Sequence, residues 1–297
     1  MSQPPDIGAA LALRREGEAA ASSLPPLLVA AEHLAATVQM GGHGRRRAGT
    51  GAEFWQFRPA HAGDEARLID WRRSARSDLQ IIRDREREAA QSVHLWVDDA
   101  ASMRFSGAKT RVEKSARARL LALALAVLMI RAGERVGLAG PLAPPRPGKA
   151  QLMQLAALLS AEGAGADYGA PEAAAILARS RAVFLSDFMG DPTPVKAALG
   201  VLADRGVSGV MVQVLDPVEE EFPFDGRTIF ESIGGTLRFE TRQAADLRQR
   251  YRDRLNARRD LLATLAHAAG WQFSTHHTGQ PAQAALLWLY AALERRR

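Results

Sequence analysis

The chain has 297 residues, enough to bury one large core with an extension but tight for two independent large domains. Hydrophobic residues make up 47% and aromatic residues only 6%, so alanine and leucine supply most of the apolar surface and favour helices packed closely on a sheet. The net charge of +6 arises from 39 basic and 33 acidic residues mixed along the chain, which argues against a dedicated nucleic-acid binder, and the absence of cysteine excludes disulfides, thiolate metal sites and cysteine nucleophiles.

Residues 1–20 carry Asp6, Arg14, Arg15, Glu16 and Glu18 and have no apolar core of signal-peptide length. Residues 4–40 are rich in alanine and leucine, and Pro25 and Pro26 predict two short helices on either side of a break. Residues 41–51, "GGHGRRRAGTG", read as a solvated glycine-rich loop; they lack the Gly-Lys-Ser/Thr ending of a phosphate loop, and no strand leads into them. Residues 52–90 are densely charged around Trp55 and Trp71.

From there strands and helices alternate. "SVHLWVDD" predicts a strand, residues 108–133 a long helix stopped by Gly133, and "RVGLAG" a second strand. Within that helix the apolar run of residues 120–130 lies between Arg119 and Arg131; it falls short of the roughly 20 residues that span a bilayer, which predicts a buried helix and no integral membrane segment. "APPRPG" reads as a turn, "KAQLMQLAALLS" and "GAPEAAAILARS" as helices, and "RAVFLSDF" as a third strand. Then follow a helix over 192–206, the strand "SGVMVQVLD", a short edge strand in "TLRFET", a long helix over 242–270, the strand "WQFSTHHT" and a closing helix over 281–293. Apolar strands separated by helices predict an α/β, doubly wound, mostly parallel sheet covered on both faces.

Ligands of such sheets sit beyond the carboxyl ends of the strands. Asp98, Asp99 and Ser102 follow one strand, Ser186 and Asp187 end another, and Asp167 lies on the "GAGADYG" loop between them in sequence. These carboxylates can either hold a hard cation or cap helix N-termini and order the loops. His276 and His277 are adjacent, so a strand turns them to opposite faces and away from a shared zinc ion. No Gly-x-Ser-x-Gly nucleophile motif is present. The arginine-rich helix over 242–269 reads as a solvated face with i, i+4 pairs.

"DDAASM" resembles the Asp-x-Ser-x-Ser-Met motif of von Willebrand factor A-type domains, whose adhesion site binds magnesium through carboxylates and hydroxyls. The resemblance implies metal ligands at Asp98, Ser102 and Asp187, with Asp167 matching a further acidic position. Ala100 and Ala166 stand where that motif has hydroxyls, so the resemblance implies a degenerate site that binds magnesium weakly or not at all; no other cofactor is implied.

A longer resemblance lies upstream. Gly49, Gly51, Glu53 and Phe54, then Arg58, Gly63, Asp64, Arg67, Ile69, Asp70 and Trp71, then Ser74, Ala75 and Arg76 follow the spacing of the bacterial family called domain of unknown function 58, with Ala60 where the family has tyrosine. It implies an N-terminal helical and extended arm over 1–90 packed on a von Willebrand factor A-like domain over 91–297. It also implies a non-enzymatic, cytoplasmic adaptor or co-chaperone that works with a MoxR-type AAA+ ATPase on a protein client, through a rim of Asp98, Asp99, Ser102, Asp167 and Asp187. No nucleic-acid partner is expected. The competing reading is a metal-dependent hydrolase or ligand binder using Asp98, Asp167 and Asp187. Arginine forms planar bidentate pairs with carboxylates, so Arg58, Arg67 and Arg76 with Asp64 and Asp70 predict a clasp around a buried Trp71, and a binding surface is the alternative use of the same residues.

Overall fold

The computed structural model describes residues 25–41, 54–60, 69–76, 79–85, 90–161, 166–231 and 238–294. The elements in chain order are α1 (Pro26–Gly41), β1 (Phe54–Pro59), α2 (Trp71–Ser74), β2 (Ile81–Arg85), β3 (Ser92–Val97), a 3-10 turn (Ala101–Arg104), α3 (Lys114–Arg131) and β4 (Arg135–Leu138). They continue with α4 (Lys149–Ser160), a second 3-10 turn (Ala173–Ala175), β5 (Arg181–Ser186), α5 (Pro192–Asp204), β6 (Ser208–Leu215) and α6 (Pro217–Glu221). Last come β7 (Thr228–Glu231), β8 (Arg238–Thr241), α7 (Ala245–Ala268), β9 (Gln272–His277) and α8 (Ala282–Glu294).

The main sheet has five strands in the order β4-β3-β5-β6-β9, and every pairing is parallel. This is a mixed α/β fold with the parallel sheet expected. Side chains alternate between its faces, as a period of two requires. Val183, Leu185, Val210, Val212 and Val214 join one apolar cluster with α1, α3, α4 and α8, whereas Phe184 and Met211 join another with α5 and α7. On the second face Trp271 lies 4.8 Å from Phe184 between ring centroids and donates its indole N–H to the Val207 carbonyl at 3.0 Å.

Residues 121–129 of α3 are all buried. A helix that is apolar all round needs cover on all sides. The sheet covers one side, and α1 covers another with a stripe of Leu28, Ala31, Ala35 and Val38.

Contacts divide the chain into two compact units, residues 1–43 with 91–297, and residues 44–90. Helix α1 therefore groups with the sheet. In the second unit β1 and β2 form an antiparallel ladder with an irregularity between Phe54 and Gln56.

Some expected elements change. "GAPEAAAILARS" does not form a helix beyond the turn Ala173–Ala175, because partners from other elements satisfy its backbone: Arg205 donates to the Ala173 carbonyl at 2.9 Å, and the Leu177 N–H donates to His94 Nε2 at 3.3 Å. Helix α3 starts at Lys114, six residues later than expected, after turns around Ser106 that bond the Ala108 and Arg111 carbonyls. Among the described residues the edge strand in "TLRFET", β8, pairs only with β7, outside the main sheet.

Candidate functional site

In chain order the five parallel strands run second, first, third, fourth, fifth across the sheet, so the order reverses between β3 and β5. Crossovers leave that point on opposite faces, and the carboxyl ends of two such strands are where ligands of doubly wound sheets bind. Asp98 follows β3, and Ser186 and Asp187 close β5. The Asp98 N–H donates to the Leu185 carbonyl at 2.9 Å, which draws the two strand ends together.

Asp98 is 2% exposed. Its Oδ1 accepts the Ala100 N–H at 2.9 Å, and its Oδ2 accepts the Ser186 hydroxyl at 2.6 Å. Burial pushes its carboxyl above the ordinary range; the bonds from Ser186 and Ala100 oppose this, and the charges of Asp187 and Asp99 add to it. A Cβ on Gly169 would collide with Asp98 Oδ1, so glycine lets the following loop close directly over the carboxylate. The same loop is pinned from below, since the N–H groups of Ala101 and Ser102 donate to the Ala166 and Asp167 carbonyls, both at 3.0 Å.

Asp187 faces a different partner. Its Oδ2 lies 2.9 Å from Nζ of Lys114, which also lies 2.6 Å from Glu219 Oε1. Its Oδ1 accepts the Met189 N–H at 3.0 Å, and its own N–H donates to Met103 Sδ at 3.2 Å. Burial pulls the Lys114 ammonium down, but Asp187 and Glu219 outweigh it and hold the amine above its usual range. Burial likewise raises the Glu219 carboxyl, against the opposing pull of Lys114.

Glu219 belongs to a capping box at the start of α6, where its Oε2 accepts the Asp216 N–H at 2.8 Å and Asp216 Oδ1 accepts the Val218 N–H at 2.9 Å. Asp216 also accepts from Arg111 Nη1 at 2.6 Å and from the Thr278 hydroxyl at 3.1 Å. One network thus ties together the carboxyl ends of β3, β5, β6 and β9.

Of the expected rim, Asp98, Ser102 and Asp187 are too buried to touch a partner, Asp167 is half-buried and Asp99 is exposed. Three of the five side chains expected at the rim thus lie inside the fold. The loops above them expose Tyr168 at 48%, and a Cβ on Gly190 would meet Tyr168 Cβ, so the ring is seated on the turn after β5.

The residues fit a magnesium ion poorly. Ser102 Oγ is buried with no hydrogen-bond partner among the described residues, which suits an ion. Against it, both Asp98 oxygens are engaged, Asp187 already holds an ammonium, and Ala100 and Ala166 offer no side-chain oxygen. Among the described residues no three histidine, aspartate or glutamate side chains group as metal ligands.

In the arm, Arg58's side chain, Asp64 and Arg67 lie outside the described residues. Asp70 caps α2 through Oδ1, which accepts the Arg73 N–H at 3.1 Å, and Arg76 is exposed. Trp71 is 61% exposed. The histidines do turn to opposite faces: His276 Nε2 lies 2.9 Å from Arg117 Nη1, and His277 contacts Glu220. Burial, with Arg117 and His277, pushes the His276 pKa down to about 4.

Reading by motif passes over Lys114, Glu219 and Asp216. The signal that could have found the first is its rarity: Lys109, Lys114, Lys149 and Lys196 are the only lysines among 39 basic residues.

The chain matches no curated protein. It resembles the solved structure of an aerotolerance-related membrane protein from Bacteroides fragilis, a form with multiple mutations to serines, at 13% identity over 69% of this chain and 98% of that one, with a TM-score of 0.39. It also resembles the conserved hypothetical protein BatB from Bacteroides thetaiotaomicron at 15% identity over 67% and 96% of the two chains, with a TM-score of 0.36. Among the described residues no helix is long and apolar enough to cross a membrane. Residues 56–261, well over half of the chain, match the model of the protein of unknown function DUF58, and the chain belongs to that family.

Proposed function

We propose that the chain is a cytoplasmic, non-enzymatic interaction module, an adaptor or co-chaperone that joins a MoxR-type AAA+ ATPase to a protein client. The observation that carries this reading is that the buried carboxylates at the switch point between β3 and β5 are already engaged within the fold. Asp98 holds the Ser186 hydroxyl and the Ala100 N–H, while Asp187 and Glu219 hold Lys114. General acid–base or nucleophilic chemistry needs a group within reach of substrate, and Ser186, Asp98 and Asp187 are all buried. What the site offers outward is the shape of its loops, with Asp99 and Tyr168 on the surface.

The von Willebrand factor A likeness of "DDAASM" belongs to this reading, with the adhesion site kept as scaffold and its metal chemistry given up. The ATPase partner rests on the family resemblance alone. Affinity capture with a tagged MoxR-type ATPase tests it, in ATP, in ADP and without nucleotide. Stable association in at least one state, lost in a double Asp99→Arg, Tyr168→Arg variant that still folds, is the expected result; absence of association in every state overturns the proposal.

A further inference from the structure

The chain places a lysine where neither helix nor solvent would choose one. Lys114 is the first residue of α3, at the positive end of the helix dipole, where a cation is disfavoured. Its side chain is 1% exposed, and lysine is almost never fully buried unless paired. The chain otherwise meets its need for positive charge overwhelmingly with arginine, and only four lysines stand among 39 basic residues. An ammonium differs from a guanidinium in being a compact point charge, which suits a site built for a single ion more than a planar fork does.

The surroundings of Nζ are those of a cation site. Asp187 Oδ2 lies at 2.9 Å and Glu219 Oε1 at 2.6 Å, and the Phe105 ring centroid lies 5.7 Å away. Each carboxylate is fixed by a further bond, Asp187 Oδ1 by the Met189 N–H and Glu219 Oε2 by the Asp216 N–H. The backbone of Asp187 is fixed as well, since its carbonyl accepts from Gln213 Nε2 at 3.0 Å. Each carboxylate is thus held by a backbone bond in addition to its bond to the ammonium.

We infer that Lys114 is the resident cation of this end of the sheet: its ammonium fills, between Asp187 and Glu219, a place that would otherwise take a divalent ion, and truncating the lysine turns the pair into a divalent-cation site. The native protein is then permanently charged at this point and indifferent to divalent metal. This holds whether or not the rim binds an ATPase. Without the amine two buried carboxylates face each other unpaired, and they must take up a proton or a cation. Magnesium or manganese bound by two carboxylates keeps several waters, and only the space freed by the shortened side chain could hold them.

Thermal unfolding of the full chain, in EDTA and with rising magnesium or manganese, tests this on wild type, Lys114→Ala and Lys114→Met. Wild type is expected to melt at one temperature throughout. Lys114→Ala should melt lower in EDTA and recover along a saturable curve as manganese rises. Lys114→Met should melt lower without recovering, because the thioether chain fills the space. The inference is overturned if wild type gains a saturable metal response that Asp187→Asn abolishes, or if Lys114→Ala responds no more than wild type. Should Lys114→Ala fail to fold in every buffer, Lys114→Met is compared with the double variant Lys114→Met, Asp187→Asn. The double variant is expected to melt higher, since it removes an unpaired buried charge, and equal melting overturns the inference.

Discussion

Asp98 carries its charge on hydrogen bonds, with the Ser186 hydroxyl at 2.6 Å and the Ala100 N–H at 2.9 Å as its partners. Its carboxyl is raised above the value of 3.8 that it takes when unfolded, first by burial. Between the unfolded and folded values the native state therefore holds a proton that the unfolded chain has released. Stability falls as pH rises through that window, and the cost persists above it. Asp98→Asn removes the charge, keeps an acceptor for the Ala100 N–H and turns the other oxygen into an amide nitrogen that donates to Ser186 Oγ, so the variant should be at least as stable as wild type at neutral pH, with the difference closing below the ordinary aspartate range. Urea denaturation across that range measures it, and a variant clearly weaker at neutral pH would show that the charge itself holds the loop.

At the scale of elements, side chains from distant segments complete what local sequence leaves open. The shortest named helix of the main unit, α6, rests on the Asp216 capping box, and α7 closes its other end. Arg248 donates to the Phe222 and Phe224 carbonyls at 3.0 and 3.3 Å, and Arg252 donates to the Glu221 carbonyl at 2.7 Å. The arginines of α7 are thus partly consumed as caps, where sequence alone suggests a solvated face. Burial works against the Asp216 charge, but the Val218 and Gly107 N–H groups, Thr278 and Arg111 outweigh it and hold its carboxyl below the usual value. That contribution is present above the unfolded pKa and is lost as pH falls through the folded one. Asp216→Ala should cost about 1–2 kcal/mol for the cap alone at neutral pH. The lost bonds to Arg111 and Thr278 add to this, and the gap should narrow in acid; chemical denaturation at the two pH values reads both.

For the sheet unit as a whole, the decisive fact is that α3 is apolar on every side. The sheet and its neighbouring helices α4 and α8 do not suffice, and α1 supplies Leu28, Ala31, Ala35 and Val38 across some 80 residues of chain. Deleting residues 1–41 exposes that face. Each fully buried leucine or valine contributes roughly 1.5–3 kcal/mol, so the shortened chain should lose several kcal/mol of stability or self-associate. Size-exclusion chromatography with thermal melting distinguishes it from a chain whose core is complete without α1.

Periodicity and turn residues made the parallel α/β architecture legible, because a strand buried on both faces must be apolar throughout, as in "RAVFLSDF" and "SGVMVQVLD". They also located the strand ends at Asp98 and Asp187, since polar residues interrupt an apolar run where it leaves the sheet. The order in which strands pair is not written in any one of them, and only the folded chain set β3 beside β5 and made their ends a switch point. Tertiary structure alone also brought Lys114 to Asp187 and Glu219, residues 73 and 105 positions away, because a charge deep in the fold is recognisable only by what surrounds it.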